Sequence, residues 1–467
     1  MKKRLVILGS GESGTGAALL AQHLGYDVFV SDKGAIKPAY QTELNEAGIA
    51  WEENQHTLDK ILNATEIIKS PGIPEKSEVM KTVREKGINV IGEIEFGYRH
   101  AGKCQIIAIT GSNGKTTTTE LTYHLLKTAG QDVRKGGNVG NSFARMVLED
   151  LKNRSGAAAQ RVFVLEVSSF QLDDIQQFRP KIAMLLNVTP DHLDRYDYKL
   201  ENYTASKFRV TMNQGRGDKF IYNGFDPIVA SGLTTQSRPT TKNSSSIGQT
   251  TSSRQTTTPK QIAIQKGFFK NGQIRIGKQA FDLTKGNLRG PHNMFNAACA
   301  IRAALLLDVE SGKIQAGLNT FVPPPHRLEK VAEIGGITWI NDSKATNVDS
   351  VFYALQAMDT PTVWIVGGQD KGNDYSPLLK LVMKKVKAIV CMGVDNTKII
   401  SVFGKMKKPM VETGSASEAV KIAATFAKAG DTVLLSPACA SFDLFKNYED
   451  RGAQFREAVL QITKSPK

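Results

Sequence analysis

Thr110-Gly-Ser-Asn-Gly-Lys-Thr116 follows the apolar run Ile106-Ile107-Ala108-Ile109 and precedes a helix-compatible stretch through Ala129. A strand, a glycine-rich turn and a helix N-terminus make a phosphate cradle, because backbone N–H groups and the helix dipole face the anion. In such a cradle Lys115 reaches the terminal phosphates and the Thr116 hydroxyl can ligate Mg²⁺. The pattern therefore predicts a site for a nucleoside triphosphate. The general phosphate-loop formula places a glycine five residues before Gly114, where this chain has Ile109, so the loop is a shortened variant. An ordinary glycine-rich turn would account for Gly111 and Gly114, but not for Lys-Thr directly behind them.

Around this motif the chain is organised as several α/β domains. Its 467 residues are enough for two to four domains with substantial cores. Residues 1–101 read as βαβ units, with strands at Leu5-Val6-Ile7-Leu8 and Val28-Phe29-Val30. Residues 102–322 begin with the phosphate-loop strand and continue through Val162-Phe163-Val164-Leu165 and Ile182-Ala183-Met184-Leu185-Leu186, runs typical of buried parallel strands. Within them, Thr234 to Thr258 holds 15 Ser or Thr among 25 residues and reads as a flexible surface loop. The prolines of Phe321-Val-Pro-Pro-Pro-His-Arg327 mark the next boundary. Residues 323–467 again alternate apolar runs with helical stretches. The expected fold is α/β in three domains: a Rossmann-like N-terminal domain, a central phosphate-loop ATPase-type domain with a mostly parallel sheet, and a Rossmann-like C-terminal domain.

The formal charge of +15 is spread along the chain. No block is dense enough for a nucleic-acid tail, and a solvated basic surface that favours small polyanionic substrates is the expectation. The opening Met1-Lys-Lys-Arg resembles the start of a signal peptide, but only four apolar residues follow before Gly9, so it reads as a first strand. No segment is long enough to span a bilayer, and the expected location is the cytoplasm. Cys104, Cys299, Cys391 and Cys439 are scattered, which argues against a zinc site or a disulfide framework.

Other polar clusters end other strands. Gly9-Ser-Gly-Glu-Ser-Gly14 with Asp32 is a dinucleotide-type fingerprint, and its physics suits any diphosphate, a nucleotide-sugar included. Glu166 closes an apolar strand at the edge where active groups of α/β sheets gather, and could hold Mg²⁺ beside the loop. His192, in Asn187-Val-Thr-Pro-Asp-His192, reads as a metal ligand or a plain loop histidine. Lys207 reads on composition as an exposed helix lysine. Asn341-Asp-Ser-Lys-Ala-Thr-Asn347 and Gly367-Gly-Gln-Asp-Lys-Gly372 are strand-end loops suited to ribose, phosphate or carboxylate, or to turn chemistry alone.

Taken in order, the phosphate loop, Glu166-Val-Ser-Ser-Phe-Gln-Leu172, the His192 motif, His292-Asn293 with Asn296, Pro325-His-Arg327 and Asn341 to Asn347 resemble the Mur ligases. These are ATP-dependent amide ligases of peptidoglycan precursor synthesis, and the resemblance spans nearly the whole chain. Ser168 to Leu172, Asp342 to Asn347 and Ser436-Pro-Ala-Cys-Ala-Ser-Phe-Asp-Leu-Phe-Lys-Asn-Tyr448 look like the branch whose acceptor is D-glutamate. That branch mostly has Phe where Tyr448 stands, and the Ser/Thr-rich loop looks like an insertion. The signature of the branch using meso-diaminopimelate or lysine is absent.

The resemblance implies ATP, UDP-N-acetylmuramoyl-L-alanine and D-glutamate as substrates, an acyl-phosphate intermediate, and two Mg²⁺ sites. It places Gly111, Asn113, Gly114, Lys115, Thr116, Thr117, Asn296, Arg327, Asp342 and Lys344 on ATP. It places Gly11, Ser13, Ser31, Asp32, Gly72 and Asn138 on the UDP-sugar, and Thr346, Lys371, Ser441 and Tyr448 on D-glutamate. Lys115, Glu166, His192 and Lys207 become the catalytic set, with Thr116, Glu166, His192 and a carbamylated Lys207 on the metals. A monomer is expected. Three rival readings remain: a relative with another acceptor such as folate polyglutamate synthesis, a nicotinamide oxidoreductase, and a non-catalytic nucleotide switch. The first is opposed by the intact Gly9–Gly14 motif and by residues 436–448. The second leaves the phosphate loop and Glu166 unexplained.

Overall fold

The computed structural model describes residues 3–153, 161–236, 258–288 and 290–462. Nearly all of the Ser/Thr-rich segment 234–258 lies outside the described residues. The chain divides into two compact units, Met1–Asp282 with Asn296–Thr320, and Leu283–Phe295 with Phe321–Lys467.

The first unit holds two parallel sheets. One contains β1 (Arg4–Leu8), β2 (Asp27–Ser31), β3 (Ala50–Glu52), β4 (Glu66–Lys69) and β5 (Asn89–Gly92), in the order β3-β2-β1-β4-β5. The other contains β6 (Gln105–Thr110), β7 (Val133–Gly137), β8 (Val162–Glu166), β9 (Ile182–Leu185), β10 (Lys219–Asn223) and β11 (Lys260–Ile264), in the order β11-β10-β9-β6-β8-β7. The apolar runs become parallel strands because helices cover both faces, leaving no solvent side that would require alternation. Val162, Phe163, Val164 and Leu165 are all buried.

A small antiparallel sheet was not expected: β12 (Phe269–Lys270), β13 (Gln273–Ile276) and β14 (Gln279–Asp282). Its signal was present in Asn271-Gly272, both at positive φ (50° and 73°), the pair favoured in a two-residue hairpin turn.

One apolar face of each parallel sheet joins a shared cluster, from Leu5 and Ile7 through Phe96, Phe143 and Phe163 to Phe220, while Val6, Leu8 and Phe29 on the opposite face of the first sheet form another. Each fully buried phenylalanine contributes roughly 2–3 kcal/mol relative to exposure. The helices Glu93–His100 and Phe143–Lys152 meet inside this core. Gly97 permits the approach, since a Cβ there would stand 2.8 Å from the Phe143 ring. Glu95, also buried, accepts the N–H groups of Gln176, Gln177 and Phe178 at 2.9 Å each and pairs with Arg99 at 2.8 Å. The N-terminal and central parts of the chain are thus joined by buried polar bonds as well as apolar packing.

The second unit is built on β15 (Glu329–Ile334), β16 (Ile337–Asn341), β17 (Thr362–Gly367), β18 (Val386–Met392), β19 (Met410–Thr413) and β20 (Thr432–Ala438), in the order β15-β16-β20-β17-β18-β19. Only β15 runs antiparallel, so this sheet is mixed. Trp339 and Trp364 lie in separate apolar clusters, and the Trp364 indole donates to the Ser436 carbonyl at 2.8 Å.

Among the described residues no helix is long and apolar enough to cross a membrane. Among the described residues no cysteine is in a disulfide, and Cys299, Cys391 and Cys439 are buried.

Glu93 supplies a test of the inter-helix packing. Its Oε1 accepts the Ala144 N–H at 2.5 Å, while Oε2 is buried without a partner. Burial pushes its carboxyl up to about 8, against the opposing pull of the Ala144 N–H. A carboxyl raised in the folded state stabilises fully below its ordinary value, and that stability drains away as pH climbs through the folded value. The wild-type protein should therefore lose stability between about pH 5 and pH 8. Glu93→Gln should flatten that slope and be more stable than wild type by about 2–4 kcal/mol near pH 8.5. Urea denaturation across pH checks this; parallel pH profiles for the two proteins would refute it.

Candidate active site

The phosphate loop links β6 to the helix Lys115–Thr128. Gly114 caps that helix at φ 85°, and a Cβ there would stand 2.6 Å from Asn296 Oδ1. Glycine is thus required twice, by backbone sign and by the approach of Asn296. The loop is braced from the β9 side: Ser112 N–H donates to the Asn187 carbonyl at 3.0 Å, and Asn113 N–H to Asn187 Oδ1 at 2.8 Å. Asn113 Nδ2 reaches Thr189 Oγ1 at 3.5 Å, and Thr117 is buried in the first helical turn. Lys115 folds over its own loop, with Nζ 2.8 Å from the Gly111 carbonyl and 2.9 Å from that of Ser112.

Glu166, at the end of β8, is buried beside the loop. Thr116 Oγ1 donates to its Oε2 at 2.7 Å, and Asn138 Nδ2 to its Oε1 at 3.0 Å. A cavity of about 300 Å³ opens here, lined in part by Thr116, Glu120, Lys135 and Glu166. A hydroxyl and a carboxylate at this separation are hard oxygen donors that suit Mg²⁺, with phosphate oxygens and water to complete the shell. Among the described residues no cluster of three His, Cys, Asp or Glu stands ready to hold a metal ion.

Lys207 is not the exposed lysine its composition suggests. It lies on the helix Leu200–Phe208, 1% exposed. Its Nζ donates to the Gly111 carbonyl at 2.9 Å and stands 4.3 Å from the Tyr203 ring centroid. Burial, aided by the neighbouring Lys115 charge, holds its amine well below the ordinary lysine value.

His192 sits at φ 52°, half-exposed, with Nε2 3.6 Å from Asp191 Oδ2 and its ring edge-on to Phe170 at 5.3 Å. On the N-terminal sheet, Asp32 is already engaged. It accepts both Ser10 N–H and Ser10 Oγ–H at 2.7 Å, and Gly34 N–H at 2.8 Å, so it shapes the Gly9–Gly14 turn. Ser31 Oγ lies 2.8 Å from both Glu52 Oε1 and His56 Nδ1. Gly11 is the exposed N-cap of the helix Glu12–His23, with Ser13 in its first turn, and Gly72 has open space where a Cβ would be.

In the second unit Asp342 is buried after β16, accepting Ser436 Oγ at 2.9 Å and Leu328 N–H at 3.1 Å. Burial pushes its carboxyl up to about 7. Lys344 Nζ stands 3.5 Å from the Tyr448 ring centroid, and Thr346 follows on the same loop. The Lys371 loop is joined to the buried Ser441 loop by paired bonds between Gln369 and Ala440, at 2.9 and 3.1 Å. Lys371 is exposed, and Arg327 precedes β15.

Comparison with known proteins decides the family. The family models for the Mur ligase MurD-like N-terminal domain, the Mur ligase middle domain and the Mur ligase glutamate ligase domain match residues 3–92, 109–304 and 326–439. The chain belongs to the Mur ligase family. It is 50% identical over 467 residues to a UDP-N-acetylmuramoylalanine–D-glutamate ligase of Christiangramia forsetii, covering 99% of this chain and 100% of that one. It is 49% identical over 463 residues to the protein of that name from Cytophaga hutchinsonii, with 99% and 100% covered. The solved UDP-N-acetylmuramate-alanine ligase of Thermotoga maritima shares the fold, with TM-score 0.59 at 17% identity over 99% of this chain and 100% of that one.

This Mur ligase also uses residues that sequence reading missed. Asn187 and Tyr203 brace Ser112, the latter at 3.2 Å. Arg451, wholly buried in the helix Tyr448–Ile462, reaches Ser343 Oγ at 3.0 Å, the Ser343 carbonyl at 2.9 Å and the Cys439 carbonyl at 3.2 Å. Among the described residues it has no carboxylate partner, and burial lowers it to about 10. Ala438 beside it is held at φ 63°, the backbone strain that clusters at functional loops.

Gly114→Ala should destabilise the protein by about 1–2 kcal/mol from the backbone alone, and should abolish binding of a fluorescent ATP analogue. A variant with wild-type melting and nucleotide affinity would refute the double requirement at Gly114.

Proposed function

We propose that this Mur ligase joins D-glutamate to the L-alanyl carboxylate of UDP-N-acetylmuramoyl-L-alanine, with cleavage of ATP to ADP and phosphate. The chemistry rests on one observation: Lys115, Thr116, Glu166 and Lys207 converge on a single phosphate loop. The choice of acceptor rests on full-length relatives at 44–50% identity that carry that name.

A carboxylate is a poor acylating agent. Transfer of the γ-phosphoryl group to a carboxylate oxygen forms an acyl phosphate and releases ADP. The D-glutamate amine then attacks the carbonyl, an N–C bond forms, the amine proton is lost and phosphate departs. Positioning and charge neutralisation carry most of such a reaction. Lys115 would exchange its loop carbonyls for phosphate oxygens, while Thr116 and Glu166 hold Mg²⁺. Bound there, Mg²⁺ neutralises charge on the transferring phosphoryl group. Lys207, as a carbamate, would join His192 at a second Mg²⁺.

The remaining assignments belong to the same reading. Gly111, Asn113, Gly114, Thr117, Asn296, Arg327, Asp342 and Lys344 contact ATP. Gly11, Ser13, Ser31, Asp32, Gly72 and Asn138 serve the UDP-sugar. Thr346, Lys371, Ser441 and Tyr448 capture D-glutamate, with Lys371 suited to a carboxylate. The domains end near 101 and 322, and the enzyme works as a cytoplasmic monomer.

ADP release with ATP, Mg²⁺ and UDP-N-acetylmuramoyl-L-alanine should depend strictly on D-glutamate. Release driven instead by L-glutamate or lysine would keep the ligase chemistry and overturn the acceptor. Absence of release with every acceptor, from folded protein that binds ATP, would overturn the activity. Separately, native mass spectrometry in bicarbonate should show one added CO₂, lost in Lys207→Arg. An unmodified wild-type chain under those conditions would rule out the carbamate.

A further inference from the structure

The loop that carries His192 is held in an unfavourable shape. His192, Asp197 and Tyr198 all have positive φ, at 52°, 55° and 57°, although none is glycine. Side chains at such angles crowd their own backbone, so the loop needs outside support to keep this conformation. That support comes from the N-terminal part of the same unit. Arg195 Nη1 donates to the Gly72 carbonyl at 3.2 Å, and Nη2 to the carbonyls of Pro71 and Ile73 at 3.1 and 3.4 Å. Three consecutive carbonyls thus receive one guanidinium, a match to its planar fork that an ammonium cannot reproduce. Further along, Lys76 pairs with Asp197 at 2.7 Å, an exposed contact of small energetic weight.

The inner side of Arg195 is equally defined. Its guanidinium carbon lies 4.5 Å from the centroid of the Phe170 ring. Phe170 also stacks on Tyr196 at 5.9 Å and 15°, and meets the His192 ring edge-on at 5.3 Å. Its own position is fixed by a capping box in which Ser168 and Gln171 bond reciprocally around the short helix Ser169–Asp173. One aromatic ring therefore touches both the arginine that grips residues 71–73 and the ring of His192.

We propose that Arg195 is a positioning residue that couples occupancy of the 71–73 loop by the UDP-sugar to the placement of His192, with Phe170 as the shared contact. The proposal rests on the reading of Gly72 as part of the sugar site. When a ligand settles that loop, Arg195 and Phe170 order the 190–198 segment, and His192 is set before chemistry begins. Coupling of this kind is reciprocal, so ordering at His192 also tightens the sugar loop.

Hydrogen–deuterium exchange on the full-length enzyme, with and without saturating UDP-N-acetylmuramoyl-L-alanine and without ATP or metal, tests it. In wild type, peptides covering 70–76 and 190–200 should both exchange at least several-fold more slowly with ligand. In Arg195→Lys and in Phe170→Leu, protection at 70–76 should persist while protection at 190–200 falls away. Phe170→Leu leaves the carbonyl contacts in place, so it answers the question if the arginine variant is poorly folded. Ligand protection of 190–200 that survives both substitutions would overturn the proposal. So would a wild-type enzyme protected at 70–76 alone. Protection at neither segment would instead remove the sugar-site reading on which the proposal stands. Arg195→Lys should also raise KM for the UDP-sugar and lower kcat, leaving KM for D-glutamate within about twofold. Equal effects on both KM values would mark a merely structural role and overturn it.

Discussion

Two lysine side chains donate to one carbonyl oxygen. Lys115 Nζ stands 2.8 Å and Lys207 Nζ 2.9 Å from the oxygen of Gly111. Two unit charges within about 6 Å repel by roughly 3 kcal/mol at an effective dielectric constant near 20. Deep burial first, and this repulsion second, press the Lys207 amine well below the ordinary lysine value. That single constraint sets two basic side chains over one turn of the phosphate loop. The rest of the first unit holds this geometry. Asn187 fixes the loop from β9, Tyr203 supports both Ser112 and Lys207, and Glu166 arrives from β8 to meet Thr116.

The placement of these groups follows from the sheet. Parallel strands all end on one edge, so the residues after β6, β8 and β9 are neighbours although far apart in sequence. The phosphate loop, Glu166 and the Asn187–His192 segment each occupy such an end. The second unit repeats the device, with Asp342 after β16 and the Ser441 loop after β20. Polar groups can be buried there because strand-end backbone and short side chains satisfy them, as Ser436 and Leu328 do for Asp342.

How much of this was legible varied with the distance over which each residue acts. The phosphate loop and Glu166 are local patterns, a glycine turn behind an apolar run and an acid at the end of another, and both stand where the sequence placed them. The parallel architecture was legible for the same reason, since a continuous apolar run needs two covered faces. Lys207 was not, because its helix has an unremarkable composition and only the family resemblance singled it out; its burial comes from the loop ninety-six residues earlier that it touches. Asp32 was legible as part of the Gly9–Gly14 fingerprint, yet its bonds to Ser10 are contacts that no spacing rule encodes. The hairpin around Asn271-Gly272 was readable and overlooked, as its first strand is only two residues long.

Arg451 has a consequence for how the second unit can move. Its guanidinium grips the Ser343 loop and the Cys439 loop from a single helix, and the three are otherwise separate in sequence. Two loops tied to one rigid fork lose their independent degrees of freedom. A rotation of the helix Tyr448–Ile462 carries both together, and neither can open while the other stays shut. The Ser343 loop and the Cys439 loop are therefore parts of one lever rather than two gates.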